Sequence, residues 1–238
     1  MLKQIKYIFF DCMETLVDLY ELPSHSDYAY WAFSNSGVEH YWSDFEGFLE
    51  RYSHSKRQIA QRIEQHEEYE LMRRIEHIVD GTESIPVSSK QQVVQMLYEN
   101  YWRTYKSQCF VKEEVKSTLL QLSKHYKLAV VSNFMINDGI EELLELNNIN
   151  GIFEFIVTSI NMGWRKPSAR IYDYAIQRAG CNPEQILFVG DDYENDYLAP
   201  RLAGMKSILL DKEKTIVSSE LDKVSDFYEL KAMLVGNS

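Results

Sequence analysis

Asp11 ends the run "YIFFD" near the amino terminus, and Asp191, Asp192 and Asp196 follow "ILFVG" far down the chain. Between them stand Ser132 and Asn133, after "LAVV", and Lys166, inside "GWRKPSARIYDYA". Each has an ordinary reading when taken alone, because an aspartate after an apolar run is commonly a turn residue or helix cap and a lysine is commonly solvated. Brought to one place, they form a different object. Several acids, one cation and two hydrogen-bonding side chains would hold a hard divalent cation beside an anionic group. Mg²⁺ suits that donor set, since it takes carboxylate oxygens, keeps several waters and shares phosphate oxygens, and no Cys/His grouping has zinc-type spacing.

For these residues to meet, the apolar runs before them must lie side by side. Residues 7–10, 128–131, 155–157, 186–189 and 208–210 are short, β-branched or aromatic runs of the kind buried on both faces of a parallel sheet. Between them lie helical patterns: Val111, Val115, Leu119 and Leu122 recur at helical spacing, and residues 167–179 form another stretch. Pro167 disfavours helix at Lys166 and is suited to open the helix that follows. Strand, helix and strand repeated is α/β architecture, and ligands in such open sheets bind outside the carboxyl ends of the strands.

Residues 18–107 read differently. Asp44 can cap a helix carrying Phe45, Phe48, Leu49 and Tyr52, and the pattern Ile59, Ile63, Met72, Ile75 and Val79 runs on until Gly81. Ser88 or Ser89 starts another helix with Val93, Leu97 and Tyr101 on one side. A helical block this long exceeds any crossover connection, so it reads as an all-helical domain inserted at the carboxyl edge of the sheet. The expected division is residues 1–17 and 108–238 for the α/β core and 18–107 for the insertion. Trp31, Trp42, Trp102 and the many tyrosines there read as packing residues.

Composition excludes several partners. A formal charge of −11 with no Lys/Arg-rich run argues against nucleic acid and against an anionic membrane surface. Cys12, Cys109 and Cys181 are scattered, which fits a reducing compartment, and no signal-peptide pattern or membrane-length apolar stretch appears. The expectation is a cytoplasmic monomer or homodimer acting on a small molecule.

The ordered segments "FFDCMETLVD", "LAVVSNF", "GWRKPSARIYDYA" and "LFVGDDYENDYLAPRLAGM" resemble the four motifs of the haloacid dehalogenase-like hydrolase superfamily, in subfamily I, whose helical C1 cap follows the first motif. The resemblance implies a Rossmann-like core and hydrolysis of a small phosphorylated metabolite through an aspartyl phosphate on Asp11. Thr15 would support the nucleophile, Ser132 and Asn133 would hold the transferred group, and Lys166 would neutralise its charge. Mg²⁺ would be held by Asp11, Asp191 and the Met13 backbone carbonyl, with Asp196 supporting the metal site.

Two positions depart from the family pattern. Its phosphatases usually read DxDGT, with the second aspartate protonating the leaving group and then activating water, whereas this chain has Met13 there and Glu14 at the glycine position. Losing a general acid typically costs about 10²- to 10⁴-fold in rate. Four readings follow. One is a phosphatase or phosphotransferase of restricted scope, using acyl or aryl phosphates or a proton from substrate, water or Glu14. A second is a metal-independent 2-haloacid dehalogenase-like enzyme, whose halide leaves unprotonated, although "GDDYEND" is phosphatase-like. A third is a phosphonatase-like enzyme, which would need a cap lysine the sequence does not identify. The fourth is a catalytically impaired protein that keeps a phosphate and metal pocket.

Overall fold

The strands form where the apolar runs lie. In the computed structural model, which describes residues 4–214 and 221–236, the strands of the main sheet are β1 (Tyr7–Phe10), β2 (Lys127–Ser132), β3 (Phe155–Thr158), β4 (Ile186–Gly190), β5 (Lys206–Leu210) and β6 (Lys223–Val224). All pair in parallel in the order β3-β2-β1-β4-β5-β6. β6, only two residues long, has no sequence run to announce it. The chain moves outward from β1 through β2 to β3, then returns to the other side of β1 as β4. That reversal is the topological switch point where open α/β sheets bind ligands.

The chain divides into two compact units, Met1–Asp18 with Phe110–Ser238, and Leu19–Cys109. The second is helical: α1 (His25–Phe33), α2 (Phe45–Ala60), α3 (Leu71–Asp80) and α4 (Lys90–Gln108). Asp44 caps α2, its carboxylate accepting the Gly47 N–H at 2.9 Å. The continuous pattern expected after Ile59 is broken, because α2 ends at Ala60, Ile63 falls in the connection and α3 starts afresh at Leu71. Ser89 precedes α4, whose Val93, Leu97 and Tyr101 are buried. The aromatic residues pack on one another, as with Phe33, Trp42 and Phe48. No helix among the described residues is long and apolar enough to cross a membrane.

In the first unit the helices include α5 (Glu113–Leu122), α6 (Gly139–Leu146), α7 (Ser159–Met162), α8 (Ala169–Ala179), α9 (Ala199–Leu202) and α10 (Phe227–Val235). Alternation along β1 sends Tyr7 and Phe9 into a cluster with Val131, Phe155, Phe188 and the Ile171, Tyr172 and Ala175 face of α8. Phe10 points the other way, its ring 6.1 Å from that of Phe227 on α10. Both faces are thereby covered, as a parallel sheet requires. Each fully buried phenylalanine contributes about 2–3 kcal/mol. α8 opens at Ala169, so Pro167 lies outside it and not at its first position. The Asn133 side chain holds the Lys166 backbone from both sides and keeps that segment non-helical: Oδ1 accepts the Lys166 N–H at 2.7 Å, and Nδ2 donates to its carbonyl at 3.1 Å.

After Asp11 the chain folds into a tight loop. The Cys12 carbonyl accepts the N–H groups of Leu16 (2.8 Å) and Val17 (2.9 Å), and the Glu14 N–H bonds the Val17 carbonyl at 2.8 Å. Closing this loop puts Glu14 at φ 57°, in the left-handed region. The family's glycine belongs there for that reason. Asp18, at the loop's exit, is buried and holds Lys112 at 2.9 Å and also Lys212. Glu14→Val is expected to lower stability by about 1–2 kcal/mol, since a β-branched residue fits the left-handed region poorly, whereas Glu14→Gly stays within about 1 kcal/mol of wild type. Urea titrations of the two variants check this, and equal midpoints would contradict it.

Candidate active site

Asp11 follows β1, and its neighbours come from adjacent strand ends. Ser132, the last residue of β2, donates its hydroxyl to Asp11 Oδ1 at 3.1 Å. Lys166, 3% exposed, places its ammonium 2.6 Å from the same oxygen and 2.7 Å from Asp196 Oδ1. Burial pushes the ammonium pKa down, but the charges of Asp11 and Asp196 outweigh it and hold Lys166 above the usual lysine range. Both bonds to Asp11 fall on Oδ1. The carboxylate is fixed through one oxygen.

The acidic group comes from the end of β4 and the turn after it. Asp191 follows Gly190 directly, and residues Tyr193–Leu198 wind as a π-helical turn that carries Asp196 back to the strand end. Gly190 permits that return, because a Cβ there would collide with the Asp196 carboxylate. Asp192 caps the turn, accepting the Asn195 N–H at 2.8 Å, so capping is its visible task. From α8, the Tyr172 hydroxyl donates to the Asn195 carbonyl at 2.5 Å and braces the turn from below. Neither Gly190 nor Tyr172 carries a signal in spacing alone: one is a glycine at a strand end, the other an aromatic on a helix face.

One oxygen each from Asp11, Asp191 and Asp196 lies within 4.8 Å of the others. Asp191 is exposed by residue, yet its carboxyl group faces this crowded cluster. Desolvation and then repulsion from Asp11 raise its pKa to about 6, against a bond from the Thr15 hydroxyl to its Oδ1 at 3.1 Å. Burial likewise raises Asp196, with Lys166 opposing. Three carboxylates facing one ammonium leave excess negative charge, which a small divalent cation with oxygen ligands would neutralise. The donor set therefore fits Mg²⁺.

Of the residues singled out in the sequence, Asp11, Ser132, Lys166, Asp191 and Asp196 converge. Thr15 bonds Asp191 and not Asp11, and Asn133 spends its side chain on the Lys166 backbone. Met13 lies in the tight loop, bridged to Val17, and its carbonyl accepts no backbone hydrogen bond among the described residues. Glu14 is outside the carboxylate trio and contributes to the electrostatic environment of Lys112.

A family model described as haloacid dehalogenase-like hydrolase matches residues 8–210. A glyceraldehyde 3-phosphate phosphatase of Methanothermobacter thermautotrophicus is 41% identical over 100 residues, covering 42% of this chain and 44% of its own length. The human haloacid dehalogenase-like hydrolase domain-containing protein 3 is 33% identical over 122 residues, covering 50% of this chain and 48% of its own. The chain thus spans about half the length of these curated relatives. Among solved structures, a 2-haloacid dehalogenase of Pseudomonas syringae superposes with TM-score 0.72 at 21% identity, covering 97% of this chain and 98% of its own. The hydrolase YfnB of Bacillus subtilis, crystallised with magnesium, gives TM-score 0.62 at 15% identity, covering 98% of this chain and all (100%) of its own. These structures share the fold. The family match over most of the chain, with the motif order, makes this protein a member of the haloacid dehalogenase-like hydrolase family.

Proposed function

We propose that the chain is a Mg²⁺-dependent phosphatase of small phosphorylated metabolites, with Asp11 as nucleophile. The observation that carries the reading is the Asp11 carboxylate, tied through Oδ1 to Lys166 and Ser132 and set within one cluster with Asp191 and Asp196. Similarity to a glyceraldehyde 3-phosphate phosphatase and to a pyrophosphatase of Bacillus velezensis supports phosphoryl chemistry. Asp11, Asp191, the Met13 carbonyl and Asp196, directly or as a supporting residue, would hold the ion. When bound, Mg²⁺ would supply positive charge to the phosphate oxygens.

The chain's own residues account for the rest. An Asp11 oxygen attacks phosphorus, forming an acyl phosphate bond as the bond to the leaving oxygen breaks, and the departing alkoxide or aryloxide takes its proton from outside Met13. Lys166 and Ser132 keep the carboxylate oriented, and the lysine charge offsets repulsion between carboxylate and phosphate. Asn133 holds Lys166 in place through its backbone. Water then attacks the phosphorus of the aspartyl phosphate, releasing phosphate and restoring Asp11. Met13 brings no proton to either half, so good leaving groups are favoured. The same residue would suit a dehalogenase, whose halide needs no proton, but a metal-independent reaction has no use for the excess negative charge that Asp11, Asp191 and Asp196 gather at one place.

Hydrolysis of an aryl phosphate should require Mg²⁺ and fall by at least about 10³-fold in Asp11→Asn. Turnover that survives this substitution removes the nucleophile. Met13→Asp is expected to raise alkyl phosphate turnover by about 10²-fold or more and aryl phosphate turnover by less than about tenfold, because the poorer leaving group depends more on an acid. Equal gains on the two substrates would argue against proton supply as the limit.

The raised Asp191 pKa sets a pH dependence. Without metal, the folded chain binds more protons than the unfolded chain between about pH 4 and 6, so this carboxylate's contribution to stability declines as pH rises through that window. Metal must displace the same proton, so Mg²⁺ affinity should fall up to about tenfold per unit as pH drops below 6. Calorimetric titration at pH 7.5 and 5 measures this, and equal affinities would exclude Asp191 as a ligand.

A further inference from the structure

A helix carbonyl takes its hydrogen bond from an N–H four residues on, or five in a π-helical turn, and a buried carbonyl deprived of both needs a substitute. In the turn Tyr193–Leu198, neither reaches the Asn195 carbonyl. The Ala199 N–H goes to the Glu194 carbonyl, and the next residue is Pro200, which has no N–H. The substitute comes from α8, where the Tyr172 hydroxyl donates to the Asn195 carbonyl at 2.5 Å. Tyr172 is 1% exposed. Burial, then the charges of Asp196 and Asp11, push its phenol pKa well up, so the hydroxyl keeps its proton and remains a donor.

The Asn195 carbonyl and the Asp196 N–H belong to one planar peptide. Its other side is held as well, because the Asp196 N–H donates to the Asp192 carbonyl at 2.8 Å. A peptide pinned on both sides fixes the direction in which the Asp196 side chain leaves the backbone. That side chain is the carboxylate whose Oδ1 accepts the Lys166 ammonium at 2.7 Å and whose Oδ2 accepts the Asp192 N–H at 3.2 Å. The Tyr172 ring has a separate task. It packs edge to face with Phe188, centroids 6.0 Å apart, and the Lys166 Nζ lies 5.3 Å from the centroid of the same Phe188 ring. Hydroxyl and ring can therefore be removed one at a time.

We propose that Tyr172 is a positioning residue for the acidic cluster: its hydroxyl replaces the N–H that Pro200 lacks, holds the 195–196 peptide in place, and so aims Asp196 at Lys166 and at the cation the cluster would hold. The consequence for cation affinity rests on the Mg²⁺ reading above, whereas the hold on the peptide does not. Groups that orient the residues around a metal typically change its affinity by about 10- to 100-fold when removed. Acting through one peptide and not on the ion's own ligands, Tyr172 belongs at the lower end.

The test compares the full chain with Tyr172→Phe, which loses the hydroxyl and keeps the ring, and with Ile171→Val, which thins the same buried cluster without touching the turn. Calorimetric titration with Mg²⁺ at pH 7.5 should show about tenfold weaker binding in Tyr172→Phe and a change of less than about twofold in Ile171→Val, although both lower Tm. Wild-type affinity in Tyr172→Phe, or equal losses in the two variants, overturns the proposal. Amide hydrogen exchange on the metal-free proteins reads the peptide directly. The Asp196 N–H should exchange about tenfold faster in Tyr172→Phe than in wild type, while that of Val130, in the middle of the sheet, keeps its rate. If the wild type takes up no Mg²⁺, the metal reading fails and exchange alone decides: an unchanged Asp196 rate overturns the positioning role, and a local acceleration upholds it.

Discussion

One ammonium shared by two buried carboxylates is the interaction on which the strand-end cluster depends. Lys166 bonds Asp11 from β1 and Asp196 from the turn after β4, joining two neighbouring strand ends through a single charge. Without it, those acids would repel one another in a poorly solvated place, and the least costly response would be protonation of one of them. The lysine thus places one positive charge between the two acids. Its own position is set by a side chain 33 residues earlier, Asn133, which grips its backbone and leaves Nζ aimed at the acids.

Much of this was legible in the sequence because buried parallel strands have a texture that few other elements share. The runs ending at Asp11 and Ser132 and the run before Asp191 are apolar without alternation, so these three residues are marked as the first polar side chains at or just past a strand's end. The insertion was legible as helix for the opposite reason, its apolar residues recurring at three and four. What stayed hidden depends on three-dimensional approach. Spacing cannot show that Asn133 would turn to the Lys166 backbone or Thr15 to Asp191, since short polar side chains have several partners within reach. Nor can it distinguish one long helix from α2 and α3, because Ile63 keeps the apolar rhythm through the connection between them.

The two departures from the family motif differ in kind. Glu14 meets a backbone requirement with the wrong residue, and the loop bears that strain because the Cys12 carbonyl and the Val17 bonds over-determine its path. Met13 changes chemistry and leaves the backbone alone. A backbone carbonyl stands at that position whatever the side chain, and the Met13 carbonyl accepts no backbone hydrogen bond among the described residues.

Asp18 marks where the chain leaves the parallel-sheet unit, and Lys112 lies just beyond where it returns. Their ion pair, with Lys212 as a third member, is made wholly from residues on the sheet side. Departure and return are therefore moored to the same scaffold, independent of what is threaded between them. A module grafted on such moorings can lengthen, shorten or be exchanged without reopening the sheet, which leaves the inserted helices free to diversify.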